Sequence, residues 1–243
     1  MEIAGSVALV TGANRGLGKA YCEALLAAGA AKVYAGARDP SSIADPRLVP
    51  VKLDVTDPAD IAAAAERCGD LTILINNAGA MLLQPVLGAE AEAALRRELE
   101  VNVFGVMSMM QAFAPILGKN GGGAIANMLS VVAWFVNPFN GTYCVSKHAA
   151  LAVTDGARIQ LKAHGTQVVA VYAGFIDTEM AAFSTGPNKT PPSQVAERTL
   201  DGIRRGLDHV HADKRAEDVW LATRTDPAAY HAVMQKQWDD RQR

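Results

Sequence analysis

The segment VALVTGANRGLG, residues 7–18, begins as an apolar strand and ends in a turn rich in glycine. Its first four residues form a continuous apolar run, which is typical of a strand buried on both faces. The glycines follow at Gly12, Gly16 and Gly18, and a helical pattern of apolar residues then continues to Gly29. A strand, a glycine-rich turn and a helix in this order place backbone N–H groups and a helix N-terminus around a pyrophosphate. The segment therefore predicts a dinucleotide-binding site, in which a Cβ at the glycines would block the approach of the phosphate.

Apolar runs of strand length recur along the chain, at residues 32–36, 49–53, 71–75, 124–128 and 168–172. Helical patterns separate them, and strands that alternate with helices form a parallel sheet covered on both faces. We therefore expect a doubly wound α/β fold of the Rossmann type, with residues 1–243 in a single domain. Ligands of such sheets bind beyond the carboxyl ends of the strands.

The composition predicts a globular protein with a large core, since 50% of the 243 residues are hydrophobic and 20% are charged. A net charge of −2 gives no electrostatic reason to expect binding to nucleic acid or to an anionic membrane. The sequence contains no run of about 18 apolar residues and no secretion signal. The three cysteines lack metal-ligand spacing, and no acid or cysteine completes a metal site with His209 and His211. We expect a cytoplasmic protein with reduced thiols and without a metal, a membrane segment or a nucleic-acid partner.

The residues that close the second strand indicate which dinucleotide is bound. An acid there hydrogen-bonds a free 2′-hydroxyl of the adenosine ribose, whereas an arginine accommodates a 2′-phosphate. Arg38 closes this strand and Arg15 lies in the glycine-rich turn, so the sequence predicts NADP(H). Asp39 is a competing signal for NAD(H), and we interpret it as the start of a turn with Pro40.

Polar and small residues follow the third and fourth strands. Asp54 and Val55 come directly after the third strand and are expected to border the adenine. Asn77, Ala78 and Gly79 come after the fourth strand, where small residues let the backbone lie close to a bound dinucleotide.

Tyr143, Lys147 and Ser130 form a candidate group for proton transfer. Residues four apart lie on one face of a helix, so the Tyr143 phenol and the Lys147 ammonium are expected to share one space. A free tyrosine has a pKa near 10, which is too high for ready proton exchange at neutral pH. We expect the ammonium to lower the pKa of the phenol, since one charge at about 4 Å contributes about 4 kcal/mol at an intermediate dielectric. Ser130 is expected to donate a hydrogen bond to the same substrate oxygen.

Four motifs in this order resemble those of the short-chain dehydrogenase/reductase family in its compact single-domain form. They are Thr11-Gly-x-x-x-Gly16-x-Gly18, Asn76-Asn-Ala-Gly79, Ser130 and Tyr143-x-x-x-Lys147, and the resemblance covers residues from about Gly5 to Thr178. It implies that Asn102 completes a catalytic tetrad with Ser130, Tyr143 and Lys147 by fixing a water that links Lys147 to solvent. It also implies that Lys147 binds the nicotinamide ribose and that Thr178 contacts the carboxamide. The predicted cofactor site comprises Gly12, Asn14, Arg15, Gly16, Leu17, Gly18, Arg38, Asp54, Val55, Asn77, Ala78, Gly79, Tyr143, Lys147, Gly174, Ile176 and Thr178.

The expected substrate is a bulky or aromatic ketone. Several aromatic residues lie between Ser130 and Tyr143, and as a group beside the proton donor they are expected to line an apolar pocket. Residues 179–192 are polar and rich in turn formers, which is typical of a mobile lid over a substrate. The predicted substrate-binding residues are Trp134, Phe135, Phe175, Met180 and Phe183.

The C-terminal tail, about residues 208–243, departs from a common ending of the family, in which a strand and a Gly-Gly pair pack into a tetramer interface. A homo-oligomer, either a dimer or a tetramer, is still expected. We predict a reversible NADPH-dependent carbonyl reductase and alcohol dehydrogenase that acts on a small molecule, with Tyr143 as the proton donor. Two alternatives stay open, namely a 3-oxoacyl-carrier-protein reductase and a catalytically silent sensor that binds NADP.

Overall fold

A sheet of seven parallel strands runs through the protein, of which the computed structural model describes residues 1–185 and 189–242. The strands are β1 (Val7–Thr11), β2 (Lys32–Ala37), β3 (Val49–Lys52), β4 (Ile73–Asn76), β5 (Gly123–Met128), β6 (Thr166–Tyr172) and β7 (His209–His211). Their order across the sheet is β3-β2-β1-β4-β5-β6-β7. The order reverses between β1 and β4, and an open α/β sheet forms its ligand crevice at such a point. The predicted doubly wound fold is confirmed.

Helices cover both faces of this sheet. They are α1 (Gly16–Ala27), α2 (Pro58–Arg67), α3 (Ala91–Leu99), α4 (Val106–Lys119), α5 (Gly141–Leu161), α6 (Pro192–Arg205), α7 (Lys214–Thr225) and α8 (Pro227–Gln242). Adjacent strand residues alternate between two hydrophobic cores, since Val10 packs with Tyr21 of α1 and Leu200 of α6, whereas Leu9 packs with Phe113 of α4. Full burial of a side chain such as Phe113 stabilises the fold by about 1.5–3 kcal/mol. The sheet is therefore buried on both sides, as its continuous apolar strands predict.

The chain is continuously helical from Ala91 to Lys119, through α3, a π-helical turn at Glu100–Gly105 and α4. By length and composition alone this helix is apolar enough to cross a membrane, with a mean hydropathy of 1.4 over an 18-residue segment. Its apolar side chains instead pack against the sheet, where Met109 and Phe113 are fully buried in the core. The apolar character of the helix is thus explained by its place beneath the strands.

The C-terminal region contains a strand and two helices. β7 adds to the edge of the sheet beside β6, and α8 begins at Pro227. Helix α7 was not predicted, because its charged sequence buries only Ala216 and Val219. The predicted lid at residues 179–192 contains a short 3₁₀ turn, Glu179–Ala181, and its residues 186–188 lie outside the described residues.

Two glycines allow a matched test of the close packing at the start of α1. A Cβ at Gly18 would overlap the carbonyl group of Gly12, whereas Gly156 within α5 has no atom within 4 Å of the added Cβ. We expect Gly18→Ala to destabilise the protein by about 1–3 kcal/mol through overpacking. We expect Gly156→Ala to stabilise it by about 0.5–1 kcal/mol, the usual gain for this change within a helix. Urea unfolding of both variants measures this, and a Gly18→Ala protein as stable as the unmutated one would contradict the packing described.

Candidate active site

A cleft of about 1200 Å³ opens beyond the carboxyl ends of the strands. It collects the turn after β1 and the residues that follow β2, β3, β4, β5 and β6, together with the first two turns of α5. Every residue predicted to bind the cofactor lines it: Gly12, Asn14, Arg15, Gly16, Leu17, Gly18, Arg38, Asp54, Val55, Asn77, Ala78, Gly79, Tyr143, Lys147, Gly174, Ile176 and Thr178. The structure therefore brings together residues that lie far apart in the sequence, and their individual roles stay a prediction.

Hydrogen bonds between the ends of β1 and β4 form the floor of this cleft. The Thr11 hydroxyl accepts from the backbone N–H groups of Asn77 (3.0 Å) and Ala78 (2.9 Å). The Asn77 side-chain amide in turn donates to the carbonyl oxygen of Thr11 at 2.9 Å. The space above is kept clear by glycine, since a Cβ at Gly18 would meet both Gly12 and the Asn77 amide. This backbone cradle fits the pyrophosphate of a dinucleotide.

Charged residues gather where β2 and β3 end. Asp39 uses one carboxylate oxygen to accept from the Ser41 backbone N–H (2.9 Å) and the Ser41 hydroxyl (2.7 Å). The predicted turn at Asp39 is therefore present, and this carboxylate oxygen is already engaged. Partial burial raises the pKa of Asp54, but hydrogen bonds from Thr56 and the charges of Arg38 and Arg97 outweigh it and leave that pKa lowered.

Arg15 lies in the glycine-rich turn and forms an ion pair with Glu179 at the start of the predicted lid. Both side chains are well exposed, so the pair contributes little to stability. Arg15 therefore remains available to exchange this partner for a phosphate.

Tyr143 and Lys147 are both buried at one end of the cleft, with 9% and 6% of their surface exposed. The Lys147 ammonium donates to the carbonyl oxygen of Met128 at 2.9 Å and lies 5.6 Å from the centre of the Tyr143 ring. Ser130 follows β5 and also lines the cleft. The predicted sharing of one space by these three side chains is thus present in the structure.

The pKa of Tyr143 departs from the sequence expectation. Burial raises it, the Cys144 thiol and the Glu98 carboxyl act in the same direction, and a hydrogen bond with Ser130 only partly opposes them. Burial also lowers the pKa of Lys147 to about 8. The net pKa of the phenol is therefore raised and not lowered as expected from the sequence, because desolvation of the phenolate is the largest effect.

Asn102 lies behind the cleft rather than in its wall. It belongs to the π-helical turn, and its side chain accepts from the Ala80 N–H (2.8 Å) and donates to the Ala80 carbonyl oxygen (2.8 Å). It also donates to the Ser146 hydroxyl at 2.9 Å and thereby links the strand β4 exit to helix α5. The water that the resemblance assigns to Asn102 stays a prediction.

The structure places three of the five residues predicted to bind substrate in the lining of the cleft, and their role stays a prediction. Phe135, Phe175 and Met180 line the cleft. Phe183 does not line it but packs edge-on against Phe175, with ring centres 5.9 Å apart. The placement of Trp134 in the pocket is wrong, because its ring packs against Tyr172 at 4.1 Å and against His211, away from the cleft. Trp134 and Phe135 are neighbours in the sequence, but only Phe135 contributes to the lining of the cleft.

The cleft residues that the sequence did not predict include Met81, Leu82, Arg97 and Arg215. Met81 and Leu82 directly follow the Asn76-Asn-Ala-Gly79 motif, which is a signal that could have found them. Arg97 and Arg215 lie on helices α3 and α7, and nothing in their local sequence indicates that they reach the cleft. Among the described residues, no group of three or more His, Cys, Asp or Glu residues is placed to hold a metal ion.

Comparison with known proteins gives relatives over most of the chain. A family model described as short chain dehydrogenase matches residues 6–188. Sorbitol dehydrogenase of Cereibacter sphaeroides is 35% identical over 189 residues, which cover 74% of this chain and 73% of the relative. Galactitol 2-dehydrogenase of Agrobacterium fabrum is 36% identical, again over 74% of this chain and 73% of the relative. The crystal structure of a short chain dehydrogenase from Burkholderia cenocepacia J2315 in complex with NADP is 44% identical, with a TM-score of 0.92 over 96% of this chain and 99% of that chain.

The burial of Lys147 predicts a stability that depends on pH in a specific sense. Its pKa is about 8 in the folded protein against a usual 10.5, so the unfolded chain binds more protons between these values and Lys147 makes stability rise with pH there. We expect Lys147→Met to raise the free energy of unfolding at pH 7 by about 2 kcal/mol, after the lost hydrogen bond to Met128 is subtracted. The gain should shrink as the pH approaches 10.

Urea unfolding from pH 7 to pH 10 measures this effect, and Lys236→Met on the exposed face of α8 serves as the matched control. A Lys147→Met protein that is less stable than the unmutated protein at pH 7 would show that the buried ammonium is stabilising instead.

Proposed function

Because the chain belongs to the short-chain dehydrogenase/reductase family, we propose that it is an NADP-dependent carbonyl reductase that runs in reverse as an alcohol dehydrogenase. One observation carries the proposal. A single cleft is lined by the glycine-rich turn and Arg38 and also by the buried group of Ser130, Tyr143 and Lys147. A binding site for a dinucleotide and a group able to move a proton are therefore adjacent.

The residues present fit a nicotinamide dinucleotide. Gly12 and Gly16 have φ angles of 65° and 51°, which side-chain-bearing residues rarely adopt, and they leave the backbone open at the start of α1. The segment from Gly12 to Gly18 would hold the pyrophosphate, and Lys147 would hold the nicotinamide ribose. When bound, the cofactor supplies the hydride that a ketone carbon accepts.

Tyr143 acts as the proton donor to the ketone oxygen. Burial keeps its phenol protonated, which is the form that a reduction requires. Ser130 lies beside it and donates a second hydrogen bond, so that the oxygen is held between two hydroxyl groups. As Tyr143 gives up its proton, the Lys147 ammonium stabilises the phenolate electrostatically in a site with little water. In the reverse direction the same phenolate accepts the proton of an alcohol.

NADP(H) rather than NAD(H) is supported by three observations. Arg38, directly after β2, and Arg15, in the glycine-rich turn, both line the cleft. One carboxylate oxygen of Asp39 is occupied by Ser41, which leaves Asp39 less suited to accept from the ribose hydroxyls. The Burkholderia cenocepacia relative was crystallised in complex with NADP.

A ketone with a bulky or aromatic hydrocarbon part is the substrate that we propose for the cleft. Its lining near Tyr143 includes Met81, Leu82, Phe135 and Phe175. The sorbitol and galactitol dehydrogenases among the relatives are named for polyols, whose many hydroxyl groups need polar partners that these four side chains lack. We therefore propose a bulky or aromatic ketone in place of a polyol.

Removal of one hydroxyl tests the proton donor. Tyr143→Phe keeps the ring, so we expect NADPH binding to persist while the turnover of an aryl ketone falls by roughly 100- to 10,000-fold. Tyr34→Phe is the matched control, because Tyr34 is also buried but does not line the cleft, and its hydroxyl donates to the Asp70 carboxylate at 3.0 Å. Turnover is followed at the nicotinamide absorbance, and a Tyr143→Phe enzyme with near-normal turnover would rule out this role.

The cofactor preference tests the role of Arg38. A hydrogen bond from a guanidinium to the 2′-phosphate contributes about 1.5–3 kcal/mol, which corresponds to a preference for NADPH over NADH of roughly 10- to 150-fold in kcat/KM. We expect Arg38→Asp to bring the two cofactors near parity or to reverse them, chiefly through KM. Arg96→Asp, on the exposed side of α3, should leave the preference unchanged. If the unmutated enzyme prefers NADH, Asp39 binds the hydroxyl groups of the adenosine ribose and Arg38 does not select a 2′-phosphate.

A further inference from the structure

The C-terminal region, which lies beyond the residues matched by the family model, contributes directly to the cleft. The model match ends at residue 188, whereas Arg215 on helix α7 lines the cleft. The aliphatic stem of Arg215 packs across Gly174, in the loop that follows β6. Its guanidinium lies over the ring of Phe175, with 5.3 Å between the guanidinium carbon and the ring centre. The Arg215 guanidinium, which the C-terminal region contributes, thus lies over the Phe175 ring in the lining of the cleft.

No acidic group neutralises this cation within the part of the chain that the structure describes. The nearby acids of α7 are engaged elsewhere, since Asp218 pairs with Lys214 and Glu217 pairs with Arg198. The Asp213 carboxylate accepts three hydrogen bonds, from the N–H groups of Gly174 (2.8 Å) and Ala216 (2.7 Å) and from the Thr190 hydroxyl (3.0 Å). The Arg215 guanidinium is therefore free to receive an anion.

The surroundings of Arg215 place it at the substrate end and not at the phosphates of the cofactor. Burial raises the pKa of Tyr230, and the positive charge of Arg215 opposes this rise. Tyr230 in turn packs edge-on against Phe135, with ring centres 4.8 Å apart, and Phe135 lines the cleft. Arg215 thus lies over Phe175, in the loop that follows β6, whereas the pyrophosphate cradle is at the start of α1.

We propose that Arg215 is a specificity-determining residue that binds an anionic group, a carboxylate or a phosphate monoester, carried by the ketone substrate at the end remote from its carbonyl. This inference rests on the proposed reductase function and narrows its substrate class. The planar guanidinium binds such groups through paired hydrogen bonds, and the apolar lining between Arg215 and Tyr143 accommodates the hydrocarbon part of the same molecule.

Matched pairs of ketones test the proposal. Three acids, para-acetylbenzoate, benzoylpropionate and benzoylbutyrate, are each compared with their methyl esters, and para-acetylphenyl phosphate is compared with para-methoxyacetophenone. The three acids place the carboxylate at different distances from the carbonyl, shortest in 3-benzoylpropionate and longest in para-acetylbenzoate, and the phosphate arm distinguishes the two anions. We expect kcat/KM of at least one anionic ketone to exceed that of its uncharged partner by roughly 10- to 150-fold, the range for hydrogen bonds to charged groups, and the preference to shrink with added salt.

Three variants separate the charge from the packing of the side chain. Arg215→Met keeps the stem over Gly174 and should abolish the preference for the anion through KM, with unchanged thermal unfolding and unchanged Kd for NADPH. Arg215→Lys should restore part of the preference. Arg224→Met is the matched control, since Arg224 lies on the same helix and stacks on Trp220 at 4.8 Å outside the cleft. It should leave the preference intact.

Two results would overturn the proposal while the reductase function stands. One is that all esters are reduced as well as their acids by the unmutated enzyme. The other is that Arg215→Met keeps the preference or weakens NADPH binding, which would assign Arg215 to the cofactor. If no ketone is reduced, the proposed function fails, and calorimetric binding of the same acids to the NADPH-loaded protein decides the inference separately. Equal binding by the unmutated and Arg215→Met proteins would then contradict it.

Discussion

Removal of the Lys147 ammonium from water is the constraint on which the active-site end of the structure depends. Burial of a cation costs free energy unless the cation is hydrogen-bonded or paired with a charge. The Lys147 ammonium donates a hydrogen bond to the carbonyl oxygen of Met128, the last residue of β5. That contact exists only because α5 lies against the end of β5. The same arrangement places Ser130, two residues further on, beside Tyr143. The parallel sheet and its two hydrophobic cores thus provide the free energy that keeps one unfavourable group in place, which is common at functional sites.

The cleft is assembled from two halves that are held in different ways. On the dinucleotide side, hydrogen bonds between Thr11 and Asn77 join β1 to β4, and glycines keep the space above them open. On the other side, Asp213 bonds Gly174 and Thr190 and also caps α7. One buried carboxylate, that of Asp213, therefore joins the loop after β6, the C-terminal end of the predicted lid and helix α7. We expect substitutions in helix α7 to alter the part of the cleft next to the loop after β6. We expect them to leave the pyrophosphate cradle at the start of α1 unchanged.

Much of the fold and of the dinucleotide side could be predicted from the sequence. Each buried strand is a continuous apolar run, and the glycines of the turn after β1 and the turn at Asp39 are encoded by local backbone requirements. The remainder depended on tertiary packing. Trp134 and Phe135 are adjacent aromatic residues, and only the packing of Tyr172 decides that the first turns away from the cleft. The direction of the Tyr143 pKa depends on how much water the surrounding elements exclude. Arg215 reaches the cleft from a helix whose charged sequence gave no apolar pattern to recognise.

Hydride transfer from NADPH to a ketone carbon is the reaction that we propose for this cleft. The most direct measurement uses NADPH with both hydrogens at C4 of the nicotinamide ring replaced by deuterium, an uncharged aryl ketone such as acetophenone, and mass spectrometry of the alcohol formed. We expect one deuterium on the carbinol carbon of each product molecule. Consumption of NADPH without labelled alcohol, or the absence of any alcohol from the whole range of charged and uncharged ketones, would contradict it.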